Sequence, residues 1–284
     1  MKKGRASRTA LRVAIRRAAH QLVDHPPVLD DPIAVKLIGP EYANDMERAQ
    51  HKVGRDFRAF MAARSRYAED HLAQAVAAGV RQYLVLGAGL DTFALRNPFP
   101  ALHVFEVDFP ATQEWKRSLL HEAGLLETGD ALPANLTFVP LDFEHKALAE
   151  GLSEAGFDAT APAFFSWLGV VPYLTLAAFR ATLDAVAKLP AGSGLSFDYA
   201  LCPTVLSAKG RLALAGLSKR VASIGEPFRL FFTAEDMDNE LHRAGFHRTE
   251  QVDSARLNEL YFHNRADGLK LSPLGLGKLV TAWV

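Results

Sequence analysis

Cysteine is almost missing from this chain: Cys202 is the one thiol among 284 residues. That excludes an intrachain disulfide and any multi-cysteine zinc site. It fits a reducing compartment, and a cytoplasmic location is the expectation. Net charge is missing too, because 32 Lys and Arg balance 32 Asp and Glu. No overall electrostatic pull toward nucleic acid or a membrane follows. The longest apolar run, Ala163 to Phe179, falls short of a membrane span and holds Gly169 and Pro172 in its middle. It reads as a buried strand running into a helix. Ten histidines include no His-x-x-x-His pair, so no metal is expected. A Gly-x-Ser-x-Gly elbow is absent as well, which leaves a Ser-His-Asp hydrolase unsupported. There is no internal repeat or low-complexity block. What remains is ordinary globular composition, 49% apolar and 23% charged, enough for one elaborated domain over 1–284.

Along the chain, residues 1–80 read as a helical region. Its opening is basic, with Lys2, Lys3, Arg5, Arg8, Arg12, Arg16 and Arg17 before the first acid, Asp24. Leu11, Ile15 and Leu22 at helical spacing make this an amphipathic helix rather than a secretion signal. Asp31-Pro32 opens a further helix, with Asp31 placed to cap. Arg55 to Ala78 is another amphipathic helix, ended by Gly79. Residues 81–200 alternate apolar runs with helical segments, which indicates a mostly parallel sheet with helices on both sides. The strand candidates are Tyr83–Leu86, His103–Val107, Leu136–Val139, Ala163–Trp167, Gly194–Tyr199 and Arg248–Val252. The helical candidates between them are Thr112–Ala123, His145–Ala155 and Leu176–Lys188. Residues 201–232 interrupt the rhythm, either as a helical lid over a ligand crevice or as a packing excursion. Residues 233–284 return to the core, with an edge strand or a closing helix expected within Leu257 to Trp283.

The stretch that carries chemistry is Leu86-Gly87-Ala88-Gly89-Leu90-Asp91-Thr92, at the end of the first strand candidate. Gly87 and Gly89 permit a tight turn and close backbone approach to a ligand. Asp108 follows Gly89 by about twenty residues, the spacing that brings a second strand's carboxylate to ribose hydroxyls. The bland alternative is a solvated acid or a helix cap. Glu106 shares its face of the strand, and its role is open. Thr92 stands where the dinucleotide fingerprint has its third glycine, which argues against NAD. A cofactor without phosphates needs only close approach, and S-adenosyl-L-methionine meets that description. Asp142 and Phe143 follow the third strand candidate, where a carboxylate could accept from an exocyclic amine and an aromatic could stack on a ring. Arg64 is either a solvated charge or a bidentate partner for a carboxylate.

Taken in order, several segments resemble the leucine carboxyl methyltransferase-like family of class I S-adenosylmethionine-dependent methyltransferases, particularly its bacterial branch. They are Leu29-Asp30-Asp31-Pro32-Ile33-Ala34, Ala63-Arg64-Ser65-Arg66-Tyr67-Ala68-Glu69-Asp70, the glycine turn with Leu95-Arg96, and Phe105-Glu106-Val107-Asp108-Phe109-Pro110 with Lys116. Leu168 to Leu174 and Gly225-Glu226-Pro227-Phe228 complete the set. The resemblance implies a Rossmann-like α/β fold with a mostly parallel seven-stranded sheet. It also implies that Arg64 holds the methionyl carboxylate, Gly87 lies against the methionine portion, Asp108 binds the ribose, and Asp142 with Phe143 hold adenine. Gly89 belongs to the same cofactor turn. Leu168 stands where the eukaryotic branch has glutamate, so that residue's contribution and that branch's protein substrate are not expected here.

The expected reaction is O-methylation of a small-molecule hydroxyl or carboxylate. Methyl transfer from a sulfonium is an in-line displacement that mainly requires alignment and exclusion of water. Tyr173, Asp198 and Tyr199 are acceptor-side candidates, Tyr199 more as a core residue than a catalyst, and no catalytic residue is named. The rival readings are a cofactor-binding scaffold without catalysis and a nicotinamide-dependent oxidoreductase.

Overall fold

Runs without a polar face make the centre of the sheet. β1 (Gln82–Leu86), β4 (Ala163–Trp167) and β5 (Gly194–Ala200) are buried at every position. β2 (His103–Asp108) and β3 (Leu136–Pro140) extend the sheet on one side, and β6 (Arg248–Val252) and β7 (Gly277–Trp283) on the other. A computed structural model describes residues 8–39, 42, 52–126, 131–142 and 146–284. Its seven strands run in the order β3-β2-β1-β4-β5-β7-β6. The first five are parallel, and β7 is antiparallel to both β5 and β6. The expected Rossmann-like α/β sheet is therefore present. One expectation needs correcting. The last strand is no edge strand; it lies between β5 and β6, and a short helix, Ser254–Tyr261, overlaps only the start of the segment.

Side chains alternate across the strands and give each face its own core. Leu84 and Leu86 pack with Leu148 and Leu152 of α5 (Leu148–Glu154), Phe179 and Leu183 of α6 (Leu176–Ala187), and Met237 and Leu241 of α8 (Ala234–Ala244). On the opposite face Tyr83 and Val85 meet Leu72 and Ala75 of the long helix α3 (Lys52–Ala77). The other end of α3 packs Ala59, Ala63 and Tyr67 against Leu279 of β7 and Leu257 of α9 (Ser254–Tyr261).

A fourth cluster joins α1 (Arg8–Val23), α2 (Pro32–Ile38) and α4 (Pro110–Glu122) through Ile15, Ala18, Leu37 and Leu120. Asp31 caps α2 as its position predicts, accepting from the Ala34 amide with Pro32 at the first helical position. α7 (Ala208–Ala222) lies in the stretch that interrupts the strand–helix rhythm. Among the described residues no helix is long and apolar enough to cross a membrane.

Candidate functional site

Strand order reverses between β1 and β4, and an open α/β sheet binds ligands in the crevice beyond the strand ends at that point. A cavity of about 1040 Å³ lies there. Its walls include the segments after β1 (Gly87 to Asp91), β2 (Asp108, Phe109), β3 (Leu141, Asp142) and β4 (Leu168 to Val170). α7 and the segment after it contribute Leu217, Arg220 and Phe228. One stripe of α3, at Phe57, Met61, Arg64 and Ala68, faces the cavity at the spacing of one helix face.

The turn after β1 is held from below. Gly87 and Ala88 donate their amides to the Val107 carbonyl at 2.8 and 3.1 Å. Both glycines have positive φ, +66° at Gly87 and +52° at Gly89. A Cβ on Gly87 would stand 2.4 Å from a Val170 methyl, and one on Gly89 would stand 3.0 Å from the Ala10 Cβ. These glycines therefore admit the β4 loop and helix α1 against the turn, besides exposing backbone to the cavity.

Asp108, at the end of β2, accepts from the Gly89 amide and, at 2.6 Å, from its neighbour Phe109. A carboxylate offers about four lone-pair sites, so two bonds leave acceptor capacity toward the cavity. Burial pushes its carboxyl above the usual range, against the pull of those amides. Glu106 does not reach the cavity. It is buried in an ion pair with Lys116, whose ammonium also donates to the Asp91 carbonyl. Burial raises Glu106 to about 7 despite this partner. The question left open at Glu106 thus resolves to an internal strut beneath the turn.

Arg64 is 7% exposed. Its Nη1 is 3.4 Å from Asp198 Oδ2, and its Nε is buried without a partner. Asp198, in β5, also accepts from the Gly169 amide. Gly169 has φ +72°, and a Cβ there would come within 2.7 Å of Arg64 Nη1. The guanidinium is thus wedged against bare backbone with donor capacity unused. Asp142 lines the cavity. Phe143 falls outside the described residues.

On the acceptor side Tyr173 lines the cavity, its ring 5.1 Å from that of Phe228. Burial pushes its phenol well above the usual value, so it stays a neutral donor. Tyr199 donates to Gln251 at 2.6 Å with its ring in the core below the site.

Sequence reading missed the role of Arg17, which is 4% exposed. It ion-pairs with Asp31 at 2.7 Å and Asp91 at 2.6 Å, and donates to the Thr92 hydroxyl at 2.9 Å. Thr92 in turn donates to Asp31 at 2.6 Å. Threonine at the third-glycine position is therefore the link that ties the turn to α1 and α2. Burial opposes ionisation of Asp91, yet Arg17, Lys116 and Arg96 hold it well below the usual carboxylate range. The acid at 31 and the base at 17, fourteen residues apart, carry no local pattern that announces this.

A parallel sheet closed by an antiparallel β7, with a glycine turn and an acid at neighbouring strand ends, defines a Rossmann-like methyltransferase fold. Two solved structures share it. A candidate methyltransferase from Thermobifida fusca YX matches with TM-score 0.60 at 17% identity, covering 99% of this chain and 96% of that one. A DUF574 family protein from Streptomyces avermitilis MA-4680 matches with TM-score 0.55 at 18% identity, covering 94% and 96%. Residues 10–187 match the leucine carboxyl methyltransferase family, and the chain belongs to it. YktD of Bacillus subtilis (strain 168), named as a candidate S-adenosyl-L-methionine-dependent methyltransferase, is 33% identical over 297 residues, 95% of each chain. A Mycobacterium avium (strain 104) protein named for the same activity is 34% identical, over 72% of this chain and 67% of its own.

Proposed function

We propose that this protein transfers the methyl group of S-adenosyl-L-methionine to an oxygen of a small-molecule acceptor, a hydroxyl or a carboxylate. The observation that carries the reading is Arg64. It is a buried guanidinium with an unpartnered Nε, facing the same cavity as the Asp108 carboxylate. Those two groups fit the methionyl carboxylate and the ribose hydroxyls of the cofactor. Arg64 would hold the methionyl carboxylate, a charge-assisted contact. Asp108 would accept from the ribose hydroxyls, with Gly87 and Gly89 presenting backbone beside the methionine portion. Asp142 would border the adenine, and Phe143 is assigned there from its place in the sequence.

The bound cofactor supplies an electrophilic methyl on a positively charged sulfur. An acceptor oxygen would bond to that carbon as the carbon–sulfur bond broke, the electron pair staying with sulfur. A carboxylate would need no base, whereas a hydroxyl would release its proton to solvent. The protein's task is alignment and exclusion of water. At about 1040 Å³ the cavity lies at the top of the range of roughly 300–1,000 Å³ for one ligand pocket, which supports room for two molecules. In this reading residues 201–232 serve as the lid of a single methyltransferase domain. The reducing compartment that suits Cys202 is the cytoplasm.

Calorimetry with S-adenosylmethionine, S-adenosylhomocysteine and NAD tests the proposal. The first two should bind and NAD should not. Binding of neither sulfur ligand to folded protein overturns the reading. Binding without turnover on any oxygen acceptor replaces it with a non-catalytic binding protein.

A further inference from the structure

The cavity has a second cationic end. Along α3, Phe57 lies seven residues before Arg64 on the same face, a separation of roughly 10 Å at 1.5 Å per residue. Over the Phe57 ring sits the guanidinium carbon of Arg16, 4.8 Å from the centroid. Arg16 lines the cavity, gives one bond to the Arg12 carbonyl at 2.8 Å, and has a buried Nε with no partner. Arg12, one turn earlier on α1, and Arg220 of α7 line the same end. No ion pair to a described residue is made by any of these three side chains. Burial and then the charges of Arg12, Arg220 and Arg58 depress Arg16 to about 10. Asp56 and Glu226 also line the cavity, without an ion pair to Arg16.

Three guanidinium groups gathered with no ion pair to a described residue repel one another, and a ligand anion offsets that repulsion. The Arg64 end is assigned to the cofactor, so this end belongs to the acceptor. We propose that Arg12, Arg16 and Arg220 form an anchor for an anionic group of the methyl acceptor, a carboxylate or a phosphate, set apart from the oxygen that is methylated. The apolar body of that acceptor would lie on Phe57, Phe60 and Leu217, which line the cavity beside the cluster. This rests on the methyltransferase reading and adds the acceptor's charge class. Neutral phenols and alcohols of the same shape become poor ligands.

The test uses protein saturated with S-adenosylhomocysteine and three probes: 3-phenylpropionate, phenyl phosphate and neutral 3-phenylpropanamide. At least one anion should bind roughly tenfold or more tightly than the amide and weaken as salt rises. Which anion binds more tightly identifies the carboxylate or phosphate source. Arg16→Gln should weaken the anion roughly ten- to hundredfold, the scale of hydrogen bonds to charged groups. It should leave affinity for S-adenosylhomocysteine unchanged. The Arg12→Gln/Arg220→Gln pair, with Arg220 exposed, gives the same reading if Arg16→Gln fails to fold. Equal binding of amide and anions, no anion binding, or variants that bind as wild type overturn the anchor while leaving the cofactor reading intact. Failure of S-adenosylhomocysteine to bind overturns both.

Discussion

Gly169→Ala separates the fold's need for a bare backbone from the ligand's need for Arg64. With φ at +72°, an alanine pays a left-handed penalty of about 1–2 kcal/mol. For a chain of this size that is a fall in melting temperature of about 2–8 °C. The new Cβ would also stand 2.7 Å from Arg64 Nη1. The flexible guanidinium yields before the backbone and is pushed from its place beside Asp198. If it holds the methionyl carboxylate, affinity for S-adenosylhomocysteine falls by the worth of one charge-assisted hydrogen bond. That is about 1.5–3 kcal/mol, or roughly 10- to 150-fold. Adenosine has no carboxylate and should bind the variant as it binds wild type. Calorimetry with both ligands, on protein whose folding is checked by circular dichroism, decides the matter. Equal losses for the two ligands, or none for S-adenosylhomocysteine, would refute the assignment of Arg64.

Asp108→Asn should give the complementary pattern. The amide keeps one oxygen for the backbone donors but loses acceptor capacity, so S-adenosylhomocysteine and adenosine should both weaken by about 1–3 kcal/mol. Unchanged adenosine affinity in a folded variant removes Asp108 from the ribose site. A third expectation concerns acid. Burial would raise Asp24, but hydrogen bonds from Arg58 and His20 hold it down to about 2. A depressed carboxyl stabilises the fold above its unfolded pKa, near 4, and that contribution is lost as pH falls toward 2. The loss is about 2 kcal/mol. Urea midpoints between pH 5 and pH 2 should fall more steeply for wild type than for Asp24→Asn; parallel curves would contradict the linkage.

What could be read from the sequence was local. Ala163–Trp167 announced itself as a strand because every residue is apolar or small and Gly169 breaks the run. The glycine turn and Asp108 were visible because their spacing is set by one strand, one turn and the next strand. Gly277–Trp283 was harder, since Lys278 and Thr281 dilute its apolar pattern. Its place between β5 and β6 depends on pairing with residues about eighty and thirty positions away. Glu106 stayed ambiguous because only the approach of Lys116 from the following helix decides it. Arg64 and Asp198 meet across 134 residues, a contact no spacing rule foresees. Arg12 and Arg16 were legible as part of the basic opening, but not the cavity they line. Nor could the sequence distinguish a solvated arginine at position 17 from a buried one.

Arg17, Asp31, Asp91 and Thr92 also bear on how this chain can change. Replacing one member leaves its partners charged or polar at largely buried positions beside the cavity, and breaking a buried pair typically costs about 3–5 kcal/mol. That is a large part of the roughly 5–15 kcal/mol that holds a typical domain together. The four positions are therefore mutationally epistatic: a substitution tolerated alongside a compensating change costs much of the fold's stability when made alone. An engineer who wants a different residue at Thr92 must also redesign a helix seventy-five residues upstream.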